Sequence, residues 1–156
     1  MERTNIQSAL YQVSEVELIY KSKMKASDRP KITSSKDAYN ILIHCWNENK
    51  LDLQEQFKVL FLNRANKVLG VFEVSTGGIT GTVADSRLIF AAALKMNACS
   101  LVLSHNHPSG NLKPSRQDEE LTLKIKQAGE LLDIKVLDHI IVTGEAYYSF
   151  ADEGLL

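Results

Sequence analysis

Apolar positions in this chain fall into short dense runs separated by polar breaks. Phe57 to Asn63, FKVLFLN, is almost wholly apolar, as expected of a strand covered on both faces. Asn63 to Lys67 reads as a turn and Val68 to Ser75 as the returning strand, so the pair predicts a hairpin, which Thr76-Gly77-Gly78 breaks. Ala84 to Asn97 carries Leu88, Ile89, Ala92 and then Leu94 to Met96 at the spacing of a helix packed on a sheet. Ser100 to Ser104 predicts a short buried strand, His105 to Pro114 a loop, and Ser115 to about Leu132 a helix. Ile134 to Val142 predicts another strand and Tyr147 to Phe150 a last short one.

Upstream, a helix from Lys36 to about Asn47 would place Ala38, Ile41, Leu42 and Cys45 on one face, with Ser34 or Ser35 as its cap. His44 and Trp46 fall in that helix, the histidine as a packing or surface residue. Residues 9–20 alternate partly and read as a strand, and residues 21–33, polar and containing Pro30, as a connecting loop. A hairpin followed by helix–strand–helix–strand predicts an α/β fold: one mixed β-sheet flanked by helices, in two or three layers. Residues 1–35 read as an N-terminal strand and linker, and residues 36–156 as one domain.

Composition narrows the function classes. With 156 residues, 44% hydrophobic and 24% charged, the chain is an ordinary globular one, large enough to bury a core. Its net charge of −1 argues against nucleic acid as the main partner. The most basic stretch, Lys21, Lys23, Lys25, Arg29 and Lys31, is as well explained by a solvated loop. Cys45 and Cys99 do not make a disulfide framework and are expected to be buried thiols. The first 25 residues lack an apolar signal core, and no apolar run approaches ~18 residues, so the expectation is a cytoplasmic protein with no membrane contact. Nothing in the chain reports an oligomeric state.

The chemistry concentrates in Ser104-His105-Asn106-His107-Pro108-Ser109-Gly110, which holds two of the four histidines. Side chains two apart on a strand share a face, so His105 and His107 can converge on one point if the strand geometry continues. Ser115 and Asp118, three apart on the next helix, also share a face. Two imidazoles and a carboxylate leave a fourth tetrahedral position open, the pattern of a catalytic zinc site. Ser115 and Asp118 also read as a capping box, which needs no metal, and Pro108, Ser109 and Gly110 as ordinary turn residues. The two roles can coexist at a helix start. His139, in an apolar strand, reads as a core histidine or as one that orients a ligand from behind.

His105-Asn106-His107, seven residues, Ser115, two residues and Asp118 together resemble the JAMM motif of the JAB/MPN metalloprotease superfamily. "GTVADSRLIFAAALKMNACSLVLSHNHPSG", "SHNHPSGNLKPSRQDEELT" and "LLDIKVLDHIIVTGEAYYSFADEG" are similar to its RadC-like branch. The resemblance runs from about Leu53 to Gly154. It implies a cytidine-deaminase-like α/β sandwich and zinc held by His105, His107 and Asp118. It also implies that Ser115 stabilises an oxyanion and that a glutamate ahead of the first core strand acts as general base. Glu55, in "LQEQFKVLFLN", matches that glutamate, with Glu48 and Glu73 nearby in sequence.

The function so implied is zinc-dependent hydrolysis of a peptide or isopeptide amide in a peptide or protein substrate. A DNA-processing role and a non-catalytic MPN-type scaffold are the alternatives. Full-length RadC proteins usually carry a helix-hairpin-helix region, for which residues 1–35 are too few. The substrate has no recognisable signature in the segments expected to rim the site, Gly77 to Gly81 and Asn111 to Pro114, and the donor set also admits iron or manganese.

Overall fold

In a computed structural model, residues 14, 17, 19–78 and 83–156 are described; most of the strand expected over residues 9–20 lies outside them. Among the described residues five strands form one sheet: β1 (Gln56–Leu62), β2 (Val68–Thr76), β3 (Ser100–Asn106), β4 (Lys135–Val142) and β5 (Tyr147–Ser149). Their order across the sheet is β2-β1-β3-β4-β5. Only β3 and β4 are parallel; the other neighbours are antiparallel. Parallel neighbours need a long crossover, and helix α4 (Arg116–Leu131) supplies it. The remaining helices are α1 (Ser35–Cys45), α2 (Glu48–Leu51) and α3 (Ser86–Lys95).

The sheet has a core on each side, so the fold has three layers. Strand alternation sends Phe57, Val59, Phe61, Leu101 and Leu103 to one face, where Ile89, Phe90 and Ala93 of α3 and Ile125 of α4 cover them. Leu60, Leu62 and Val102 turn the other way, against Ala38 and Leu42 of α1 and the indole of Trp46. All seven residues of β1 are buried, which accounts for its unbroken apolar run. Each fully buried Phe or Leu contributes roughly 1.5–3 kcal/mol.

Strand β4 changes phase part-way. Leu101 pairs with Val136, but the next residue, Val102, pairs with Asp138, so Leu137 is an extra residue in β4. Beyond this β-bulge the alternation is inverted. His139 therefore pairs with Leu103 and looks to the α3–α4 side, while Ile140 and Val142 join the α1 side.

Four local features depart from the sequence reading. Strand β3 runs on through His105 and Asn106, because Phe57 of β1 and Ile141 of β4 both pair with His105; the loop begins only at His107. Helix α1 stops at Cys45, and Asn47 instead caps the short α2, accepting from Asn49 N at 2.9 Å. Helix α3 begins at Ser86, since Asp85 accepts the Arg87 N–H at 2.9 Å as its cap. The cysteines are not buried thiols. Cys99 is exposed, in the connection ahead of β3 where only its backbone is paired, with Leu62 and Lys135. Cys45 is half-buried at the end of α1, with Lys58 nearby. Among the described residues no helix is long and apolar enough to cross a membrane.

Candidate metal centre

The site lies at the carboxyl end of β3, where the chain leaves the sheet to reach α4. His105 is the penultimate residue of the strand and is 1% exposed. His107 follows the strand, anchored by its N–H to the carbonyl of Val142 at 3.1 Å. The loop then turns back: Gly110 N–H donates to the His107 carbonyl at 3.0 Å, and Gly110 takes φ +80°, the left-handed conformation a glycine adopts without cost. At the start of α4, Ser115 Oγ accepts the Asp118 N–H at 3.1 Å and Asp118 Oδ2 accepts the Ser115 N–H at 2.7 Å. The capping box is formed.

That box also aims the carboxylate. Asp118 Oδ1 lies 3.3 Å from His105 Nε2, and Oδ2 lies 3.6 Å from His107 Nε2. The two Nε2 atoms are 2.9 Å apart. Bonds of 2.0–2.1 Å to a tetrahedral ion imply donor separations of about 3.3 Å, so the donor atoms already sit near the spacing a metal requires. Among the described residues, His105, His107 and Asp118 are the group of histidine, cysteine and acidic side chains that could hold a metal ion.

Electrostatics also fit a cation here. His107 Nδ1 lies 2.5 Å from the carbonyl of Asn111, which can only accept, so the ring donates there and its Nε2 lone pair is turned inward. Burial opposes a positive charge on His107. The hydrogen bonds to Asp118 and to the Asn111 carbonyl, with the charges of Asp118 and Glu55, outweigh it and raise its pKa above the ordinary value. Burial likewise opposes ionisation of Asp118, but its contacts with His105, His107 and the Ser115 N–H hold its carboxyl far below the usual carboxylate range. The position where these three side chains meet attracts positive charge.

Beside the triad opens a cleft of about 810 Å³, lined by Glu55, His107, Asn111, Ser115, Asp118 and Lys124 among others. Of the three glutamates considered, Glu55 is the one on this cleft. Glu73 instead pairs with Lys58, 3.4 Å away, and Glu48 opens helix α2. The backbone of Glu55 is fixed by Gly78 and Gly77: its N–H donates to Gly78 O at 3.1 Å and its carbonyl accepts from Gly77 N at 2.8 Å. Of the expected rim segments, Asn111 and Lys113 line the cleft, and residues 79–82 lie outside the described ones.

Two supporting residues escaped the sequence reading. Asn106 faces away from its histidine neighbours and binds the start of β1 and the segment ahead of it. Its Oδ1 accepts from Gln56 N at 2.7 Å, and its Nδ2 donates to the carbonyls of Leu51 at 2.6 Å and Gln54 at 2.9 Å. Thr122 stands one helical turn beyond Asp118 and touches His139. The signals were a polar residue inside a buried strand and the i, i+4 spacing on α4.

A mixed sheet between helices, with two strand-end histidines and a helix-start aspartate beside a cleft, defines a domain of the JAB class. The RadC-like JAB domain family matches residues 32–155, and the chain belongs to that family. It is 53% identical over 125 residues to a UPF0758 protein of Flavobacterium johnsoniae, covering 80% of this chain and 53% of that one. It is 42% identical over 130 residues to a UPF0758 protein of Porphyromonas gingivalis, covering 82% and 56%. A Clostridium beijerinckii UPF0758 protein is 40% identical over 126 residues, covering 81% and 54%. The chain thus spans about half the length of the curated relatives it matches.

Proposed function

We propose that this domain is a metal-dependent hydrolase of JAMM type that cleaves a peptide or isopeptide amide bond, with zinc as its metal. The observation that carries the reading is the convergence of His105 Nε2, His107 Nε2 and the Asp118 carboxylate, 2.9–3.6 Å apart, beside a cleft that also holds Glu55. His105, His107 and Asp118 would hold the ion. Zinc supplies Lewis acidity and an acidified water at neutral pH.

The remaining work belongs to the chain's own side chains. Glu55, on the cleft wall, takes the proton of the attacking water and delivers it to the leaving amine nitrogen. Ser115 Oγ accepts the Asp118 N–H, which leaves its own O–H proton to donate to the oxyanion that develops on the amide oxygen.

The test is elemental analysis of wild type beside His107→Ala and Asp118→Ala in metal-free buffers, then hydrolysis of a peptide library by wild type and Glu55→Gln. About one zinc per wild-type chain, lost in both ligand variants, is expected for a three-ligand site. Zinc unchanged in His107→Ala would refute the ligand assignment. Equal library cleavage by wild type and Glu55→Gln would remove the glutamate from the chemistry.

A further inference from the structure

His105 carries a second contact on the side away from Asp118. Its Nδ1 lies 2.8 Å from His139 Nε2. The other nitrogen of His139, Nδ1, lies 2.5 Å from Thr122 Oγ1. Thr122 Oγ1 in turn lies 2.6 Å from the backbone carbonyl oxygen of Asp118. These three contacts run from one member of the triad to the backbone of another.

Counting protons gives the chain a direction. A carbonyl only accepts, so the single hydroxyl proton of Thr122 goes to Asp118 O. Thr122 Oγ1 must then accept from His139, which puts a proton on His139 Nδ1. His139 is 0% exposed, with Phe150 stacked 4.7 Å from its ring and Phe57 edge-on at 5.5 Å. In that apolar slot it is neutral and has one ring proton, so its Nε2 is an acceptor. His105 Nδ1 is therefore the donor, and the lone pair of His105 is on Nε2, turned towards His107 and Asp118.

We propose that Thr122 and His139 are positioning residues that lock His105 in the Nδ1–H form and tie that setting to the helical turn bearing Asp118. This rests on the metal reading above, because the locked lone pair is the one a metal would use. The hydroxyl acts as the terminus that gives the chain its single sense. Without it His139 loses the acceptor for its Nδ1–H, the His139 proton moves to Nε2, and His105 is driven to the Nε2–H form that cannot bind a metal.

The experiment pairs Thr122→Val, which removes the hydroxyl at nearly constant shape, with Thr122→Ser, which restores it. Zinc affinity is read by competition with a chromophoric chelator, and the histidine tautomers by nitrogen-15 imidazole correlation spectra of metal-free protein in mildly alkaline buffer. Wild type should show His105 and His139 both protonated at Nδ1. Thr122→Val should show His105 protonated at Nε2 and bind zinc about 10–100-fold more weakly, the usual cost of losing an outer partner of a metal-bound histidine, with Thr122→Ser close to wild type. Nε2–H on His105 in wild type, or wild-type zinc affinity in folded Thr122→Val, overturns the inference.

If Thr122→Val does not fold, His139→Gln beside His139→Leu asks the same question. The amide can accept from His105 and donate to Thr122, so His139→Gln should retain zinc affinity that His139→Leu loses; equal losses overturn the inference. A wild-type chain that takes up no zinc overturns the metal reading instead. The tautomers, read with no metal present, then decide the hydrogen-bond chain separately.

Discussion

Asn106 fastens Gln56: its Oδ1 accepts the Gln56 backbone N–H at 2.7 Å, across the join between β3 and the segment that carries Glu55. The strand bearing His105 thus also fixes the residue after Glu55. Replacing Asn106 with leucine keeps the volume and removes three hydrogen bonds, leaving the buried Gln56 N–H without its partner. A lost bond of this kind costs about 1–3 kcal/mol, so Asn106→Leu should lower unfolding free energy by roughly 2–5 kcal/mol in urea titrations. A change under about 0.5 kcal/mol would show that the clamp adds nothing.

The observed and the proposed duties of Ser115 can be separated. As the cap of α4 it contributes about 1 kcal/mol of stability, and as the proposed oxyanion donor it would contribute about 2.7–4 kcal/mol of rate. Ser115→Ala should therefore keep its zinc, lose a few degrees in Tm and turn over about 100- to 1,000-fold more slowly. A Tm shift with undiminished turnover would leave Ser115 as a cap alone.

Gly129 reverses the usual helix rule. Alanine inside a helix is ordinarily better than glycine by about 0.5–1 kcal/mol. A Cβ at Gly129, however, would meet the carbonyl oxygen of Ile134 at 2.3 Å, and backbone cannot swing aside as a side chain can. The Gly129 carbonyl also accepts from Ile134 N at 2.9 Å, so the approach is built into the turn from α4 to β4. Gly129→Ala should destabilise by about 1–3 kcal/mol, the usual cost of overpacking. A thermal melt at or above the wild-type Tm would contradict the packing described.

Asp138 gives a pH dependence away from the candidate metal centre. Burial pushes its pKa up; hydrogen bonds from Ser149 Oγ and the backbone N–H groups of Ala151 and His139 oppose this without cancelling it, and the charge of Asp152 adds to the rise. Because the folded pKa is raised, the associated stability is fully present below the ordinary value of about 3.8 and is lost as pH rises through the folded pKa. Wild type should lose stability relative to Asp138→Asn across that window and run parallel to it above. Unfolding midpoints of the two proteins across the acid range check this; parallel curves throughout would refute it.

The strands and helices were legible because each buried face writes its own period into the chain, as in Phe57–Leu62 and in α4. The candidate site was legible from local signals: His105 lies on β3, His107 follows it with its N–H still bonded to Val142, and the Ser115–Asp118 box is a short-range pattern. Partnerships set by tertiary contact were not. The reach of β3 through Asn106 depends on Phe57 and Ile141 on either side, neither of which is local in sequence. The exposure of Cys99 follows from where the chain enters the sheet, which apolar neighbours do not report. Asn106 and Thr122 act on groups up to 55 residues away, so their roles emerge only once the sheet is assembled.

The extra residue at Leu137 divides β4 into two segments with opposite alternation, Lys135–Val136 before it and Asp138–Val142 after it. Deleting Leu137 would join Val136 directly to Asp138 in the register they already hold against Leu101 and Val102, so the faces of Asp138–Val142 would be kept. Were the bulge ironed out with Leu137 kept in the ladder, Asp138 would pair with Leu103 and His139 would turn towards α1. The placement of His139 behind the candidate centre thus rests on a single step in strand phase. Any transplant of this centre into another sheet must keep His139 opposite Leu103 along with the visible motif.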